Sequence, residues 1–187
     1  MLRIKLSWLL SVVLLASTVS FTACSDKSNG QQGTPDNSGT TPVRPQESLT
    51  APEFSGDSAF QFVEKQLAFG PRVPGTQAHA NAAAWLVQQF KSFGAKVTVQ
   101  QANVQHYTGK TLNIKNIIAS YNPKAPKRVI LSAHWDTRPI AEEDADPNKQ
   151  NKPIPGANDG ASGVAILLEA ARQFQQKAPK IGVDLIL

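Results

Sequence analysis

The sequence predicts an α/β domain with layers on both faces of a central sheet. Three observations carry this. From about Ala51 onward, segments of helical period alternate with segments of strand period. Glycine and proline pairs such as Gly70-Pro71, together with Gly94 and Asn122-Pro123, separate them. Residues 128–133 form a short run, continuously apolar at Val129, Ile130 and Leu131, as expected of a central strand covered on both faces.

The elements follow in order. Asp57 or Ser58 caps a helix that runs to Phe69, with Phe60, Val63 and Leu67 at helical spacing and Gly70-Pro71 to stop it. A second helix follows Gly75-Thr76 and runs to about Phe93. Ala78, Ala82, Trp85, Leu86 and Phe90 make its inner face, and Gly94 terminates it. Residues 95–105 alternate at Val97, Val99 and Val104 and predict a half-buried strand. Residues 112–121, with Ile114, Ile117 and Ile118, predict another, and 128–133 the third. A helix over 160–176 places Val164, Leu168 and Ala171 on one side, and 182–187 is a buried strand. Open α/β sheets bind ligands at the carboxyl ends of their strands. The final strand reaches the last residue, so the expectation is of an incomplete domain, cut where a functional loop belongs.

A chain of 187 residues suffices for one domain of ordinary size and is short for two. Arg3 and Lys5 account for two of its five net positive charges, and residues 1–24 hold no acid, so the remainder carries only +3. That is too thin for a nucleic-acid face. Cys24 is the single cysteine, which excludes a disulfide framework and cysteine-based zinc fingers. Residues 1–24 read as an export signal: Arg3 and Lys5, an apolar stretch through Trp8, Leu9, Leu10 and 12–16, then small residues before Cys24. This end resembles a bacterial lipoprotein signal, with Cys24 as the lipidation site, although Phe21 stands where such signals usually have leucine. An ordinary cleaved signal with an incidental cysteine is the alternative. Residues 25–52 are mostly Ser, Gly, Asn, Gln, Thr and Pro and predict a disordered tether. The domain proper spans 53–187.

Two motifs carry chemistry. The apolar strand ending in Ala133-His134-Trp135-Asp136 places His134 and Asp136 on one face. A carboxylate there accepts the imidazole's second N–H and fixes the tautomer for metal binding. Taken alone, the pair is more often a surface histidine beside an acid. The second motif is Pro155-Gly156-Ala157-Asn158-Asp159-Gly160-Ala161-Ser162-Gly163, with Asp159 at the mouth of a helix. Asp159 there is either an N-cap or a metal ligand in a loop whose glycines permit close backbone approach. Both motifs fall at the carboxyl edge of the sheet, and histidine with carboxylate suits zinc.

These motifs, from Ala133 to Pro139 and from Gly156 to Gly163, resemble the zinc aminopeptidase superfamily. Within it they are most similar to the animal-type glutaminyl cyclases of bacteria, whose opening segment Phe69-Gly70-Pro71-Arg72-Val73-Pro74-Gly75-Thr76 also resembles. The resemblance implies a three-layer sandwich with a mostly parallel, mixed central sheet of zinc exopeptidase type. It implies Zn2+ as cofactor, Asp159 as a zinc ligand, His134 near the zinc or bound to it, and Asp136 behind the histidine. In two-zinc aminopeptidases the residue matching Asp159 bridges both metals and the one matching His134 binds the second. The family's glutamate general base and remaining ligands are expected beyond Leu187, so 1–187 alone is expected to be inactive. His79 and His106 stand in no matching context.

The implied activity is glutaminyl-peptide cyclotransfer, the conversion of N-terminal glutamine to pyroglutamate with release of ammonia. The implied partners are peptides or proteins beginning with Gln, and a membrane reached through the lipid on Cys24. The expected location is that of an exported bacterial lipoprotein. The alternatives are a zinc aminopeptidase that hydrolyses N-terminal residues and a non-catalytic, lipid-anchored peptide-binding protein. The acidic run Glu142, Glu143, Asp144 and Asp146 reads as a solvated loop more readily than as a calcium site, with Arg138 positioned to pair with one of its acids.

Overall fold

In the computed structural model, which describes residues 51–187, the first helix starts earlier than the sequence suggests. Ser55, not Asp57 or Ser58, caps α1 (Gly56–Leu67), its hydroxyl accepting the Ser58 N–H at 3.1 Å. The inward face differs too. Gln66 is the one buried residue of α1, its amide donating to the Ala161 carbonyl at 3.0 Å, and Phe62 packs edge-on to Phe93. Facing those two residues inward turns Phe60 outward, and it is 64% exposed. The leader, the Cys24 lipidation site and the tether up to residue 50 lie outside the described residues. No described helix is long and apolar enough to cross a membrane.

Helix α2 (Gln77–Ser92) begins at Thr76, whose hydroxyl accepts the His79 N–H, and buries Ala82, Leu86 and Phe90 as expected. It also buries His79. Its end is a complete Schellman motif: Gly94 at φ 82° donates to Lys91 O, and Ala95 donates to Phe90 O. Strand β1 (Lys96–Gln105) and β2 (Thr111–Tyr121) form an antiparallel hairpin through the His106–Lys110 turn. Only the end of that hairpin nearest the helices is covered, so β1 is mainly exposed rather than half-buried.

β3 (Arg128–Ser132) is followed by a π-type turn (Ala157–Ser162), α3 (Gly163–Gln176) and β4 (Gly182–Ile186). The sheet order is β1-β2-β4-β3, with β2 and β4 antiparallel and β3 and β4 parallel. The α/β class and the mixed sheet are as expected. Among the described strands two of the three pairings are antiparallel; α2 and α3 pack on one sheet face, and α1 packs against α3 and the turn before it. That face carries Ile117, Ala119, Val183 and Leu185, which meet Leu86, Phe90, Val164 and Leu168 in a single core.

The third strand is corrected by this topology. It is not the covered central strand; β4 is, and β3 forms the edge of the described sheet. Val129 and Leu131 lie on the helix side, only partly covered and each 42% exposed, and Ile130 on the opposite face is 64% exposed. On that second face Arg128 grips the Asp184 carboxylate through Nε and Nη2, and Ser120 donates to the same group.

Helix α3 is also stitched to the segment before α1. Ser55 N–H donates to Glu169, Gln173 donates to the Glu53 carbonyl, and Arg172 pairs with Glu169 at 2.6 Å. Burial pushes the Glu169 carboxyl up, but Arg172, the Ser55 N–H and Gln173 together hold it below its ordinary value. Hydrogen bonds from Arg128 and Ser120 lower Asp184 likewise, against a smaller upward push from burial. Both groups are depressed in the folded state. Their stabilisation is therefore fully present above the unfolded values of about 4 and is lost as pH falls through the folded ones. In urea unfolding these two carboxyls should add a steep fall below about pH 4, beyond the gentler loss between about 7 and 5 that the depressed His79 value brings. Glu169→Gln should make that acid limb shallower; an unchanged limb would remove Glu169 from the account.

Candidate functional site

The chain leaves β3 at Ser132 and continues extended, Ala133 N–H still bonding Ile186 O and the residues after it outside the sheet, with Trp135 and Thr137 buried and His134 outward. The period of two expected of a strand therefore persists without the ladder. His134 Nδ1 lies 3.3 Å from the Asp136 carbonyl and 3.5 Å from its Oδ1. Across the gap, His134 Nε2 lies 3.0 Å from Asp159 Oδ1. The three residues singled out from the sequence thus come together at the carboxyl edge of the parallel β3–β4 pair.

Asp159 is not the helix cap. The turn before α3 is capped by Gly156 without a side-chain bond, and Ser162 before α3 makes none either. The Asp159 carboxylate instead faces His134, and both side chains are slightly more than half exposed. The glycines give the close approach expected of them. Gly160 at φ 106° presses on the His134 ring, where an added Cβ would lie 3.1 Å from Cε1 and 3.2 Å from Nδ1. A Cβ on Gly163 would meet that of Ala133 at 3.0 Å, so α3 starts directly against the end of β3.

Beneath this pair lies Arg72, fully buried, which the sequence offered only as one letter of the opening segment. Its Nε donates to Trp135 O at 2.9 Å, Nη1 to Pro155 O at 3.1 Å and Nη2 to Gly156 O at 2.8 Å. Burial lowers its affinity for its proton, and the nearby Asp136 charge partly restores it. His79, which the sequence reading left out of the ligand set, lies beside the site. It is stacked on Trp135, ring centroids 4.2 Å apart at 18°, and burial, with Lys115 nearby, favours its neutral form against the opposing pull of Asp136. Trp135 itself donates to Lys115 O at 3.1 Å. His106 sits in the hairpin turn, bonded to Thr108. The acidic run behaves as a loop: Arg138 pairs with Glu142 at 2.6 Å, and Asp144 and Asp146 accept backbone N–H groups two residues on.

The donor set fits zinc chemically. A neutral imidazole whose proton sits on Nδ1, toward Asp136, presents a lone pair at Nε2 to the Asp159 oxygen. Only a proton or a cation between them makes that contact attractive. Two zinc donors at about 2.0–2.1 Å in tetrahedral geometry lie roughly 3.3 Å apart, close to the separation seen here. No group of three or more His, Cys, Asp or Glu side chains that could hold a metal is present among the described residues.

By its mixed α/β sheet and the residues at its edge, the domain is similar to the zinc aminopeptidase class. Residues 116–187 match the model of peptidase family M28, and the structural neighbours are bacterial glutaminyl cyclases and zinc exopeptidases. A solved glutaminyl cyclase of Bacteroides thetaiotaomicron, bound to N-acetylhistamine, is 49% identical with a TM-score of 0.73, over 74% of this chain and 47% of that one. A Zn-dependent exopeptidase from Parabacteroides distasonis is 51% identical with a TM-score of 0.73, over 74% and 47%. The glutaminyl-peptide cyclotransferase of Drosophila melanogaster is 29% identical over 57% of this chain and 28% of its own length. The chain spans less than half the length of each of these relatives, and 29% to 39% of the first curated proteins it matches.

Proposed function

We propose that the protein carrying this domain is a glutaminyl-peptide cyclotransferase that uses zinc. The observation that carries the reading is Asp159. It is a carboxylate beside an imidazole at the sheet edge, free of capping duty, in a chain 49% identical to a solved glutaminyl cyclase over the matched part. In the reaction the α-amine nitrogen of an N-terminal glutamine bonds to its own γ-carbonyl carbon. The bond from that carbon to the side-chain nitrogen breaks, and a proton moves from the amine to the departing ammonia.

Zinc, when bound, supplies Lewis acidity to the γ-carbonyl oxygen. Asp159 and His134 are the residues here that would hold it. Asp136, whose carbonyl and Oδ1 lie 3.3 and 3.5 Å from Nδ1, can accept an Nδ1 proton and so leave Nε2 for the metal, and the glycine turn brings the Asp159 backbone close enough for its carboxylate to face the ring. The proton shuttle is a glutamate in the family resemblance, and none of the residues described at this site fills that part. Substrates are peptides with N-terminal Gln, and attachment to a membrane is through Cys24.

A second reading, a zinc aminopeptidase, is favoured by the exopeptidase likeness at 51% identity. One incubation separates the two. Zinc-loaded whole protein acting on a glutamine-ended peptide should lower its mass by one ammonia, and a chelator should stop this until zinc is restored. Release of a free amino acid would establish the peptidase instead, and an unaltered peptide would overturn both.

A further inference from the structure

We infer that Arg72 is the positioning residue of this site: one buried guanidinium fixes the loop bearing His134 and Asp136 to the loop bearing Asp159. The inference concerns the two loops, and only one of its readouts rests on the zinc reading.

The contacts divide between the loops. Arg72 Nε bonds Trp135 O, and the Arg72 carbonyl accepts the Thr137 N–H at 3.2 Å, so Asp136 is bracketed on both sides. Nη1 and Nη2 bond Pro155 O and Gly156 O, three to four residues before Asp159, and Nη1 also reaches Gln66 O at 3.4 Å. Gln66 in turn donates to Ala161 O, just past Asp159. Each aspartate therefore stands in a short bridge whose ends are tied to Arg72 or to its neighbour Gln66.

The charge balance is unusual. A buried cation is costly unless paired and hydrogen-bonded, yet no carboxylate among the described residues forms an ion pair with Arg72. The carbonyl dipoles of the two loops take that part. Of the three carbonyls, Gly156 O also accepts the Ala161 N–H, while Trp135 and Pro155 lie in loop stretches outside the strand ladder. The guanidinium and the loops thus satisfy each other, and the separation of His134 from Asp159 follows from a planar fork. Functional constellations tolerate only about 0.5 Å of looseness. Lysine cannot substitute, since a single ammonium lacks the fork that reaches both loops at once.

The experiment compares wild-type protein with Arg72→Lys and Arg72→Met by amide hydrogen exchange. Thr137 and Ala161 report the two loops, the latter donating to Gly156 O. Ile117 and Leu187, which exchange hydrogen bonds within the sheet, report the core. In both variants the loop amides should exchange roughly 10- to 100-fold faster while the core amides hold. Cobalt(II), used as the metal probe, should lose about 10- to 100-fold in affinity, the range for residues that orient metal ligands, with Lys failing to restore it. Unchanged loop exchange would overturn the inference. So would loop and core amides accelerating together in the Lys variant, which would make Arg72 a plain core residue. Should wild type bind no cobalt, the zinc reading falls, and exchange still decides on Arg72.

Discussion

Gly156→Ala should destabilise the domain by about 2–5 kcal/mol, the sum of a left-handed backbone cost of about 1–2 kcal/mol and an overpacking cost of about 1–3 kcal/mol. Gly156 sits at φ 68° and ψ 45°. An added Cβ there would run into Thr137 Cγ2, and would lie 2.7 Å from Asp159 O and 2.9 Å from Arg72 Nη2. None of these neighbours is a flexible tip. Thr137 and Arg72 are buried, and the third is backbone. Against a total stability of about 5–15 kcal/mol, the effect is large. Gly109→Ala is the internal control, since φ is 81° there but nothing lies within 4 Å. It should show the backbone part only. Denaturant midpoints for the two variants separate the terms, and equal losses would mean that the crowding at Gly156 relaxes at no cost.

Asp159→Ala should have the opposite profile, with stability intact and metal lost. The side chain is more than half exposed and makes no cap, so unfolding should move by no more than about 0.5 kcal/mol. Outer-shell residues of metal sites cost about 10- to 100-fold in affinity when removed, so loss of a ligand should cost more than 100-fold. Zinc competition against a chromophoric chelator reads this directly, and activity of the whole enzyme should fall with it. His134→Ala then sorts the two functional readings. A two-zinc aminopeptidase would drop from two bound metals to one, whereas a one-zinc cyclase would keep one metal per chain, held more weakly. Wild-type zinc affinity in Asp159→Ala would remove the residue from the site.

Most elements were legible because their signals are local. Thr76, Leu86, Phe90 and Gly94 mark α2 within a few residues of one another, and Val164, Leu168 and Ala171 do the same for α3. The pairing of His134 with Asp159 was legible for another reason: both motifs lie next to strands whose direction fixes the functional edge. What stayed hidden depends on distant partners. Val129, Ile130 and Leu131 say that a strand is apolar, not which neighbours cover it, and the described sheet places it at an edge. The inward face of α1 is set by Gln66 reaching Ala161, a polar contact with no hydrophobic period to announce it. Arg72 was equally silent, because its partners are backbone carbonyls, which every residue has. Its only available signal was an arginine between Pro71 and the apolar Val73, where a charge has no local reason to be.

The stack of His79 on Trp135 gives the site an optical handle. The indole lies between His134 and Asp136 in the chain, is 3% exposed, and rests against an imidazole held in its neutral form. The other tryptophan in the described domain, Trp85, contacts Phe69 on the helical side. Emission from Trp135 should therefore respond to cations arriving at its two flanking residues, and to protonation of the ring beneath it, while Trp85 supplies a steady background. A Trp85→Phe variant would isolate that signal, so that ligand arrival at this edge could be followed in real time without any label.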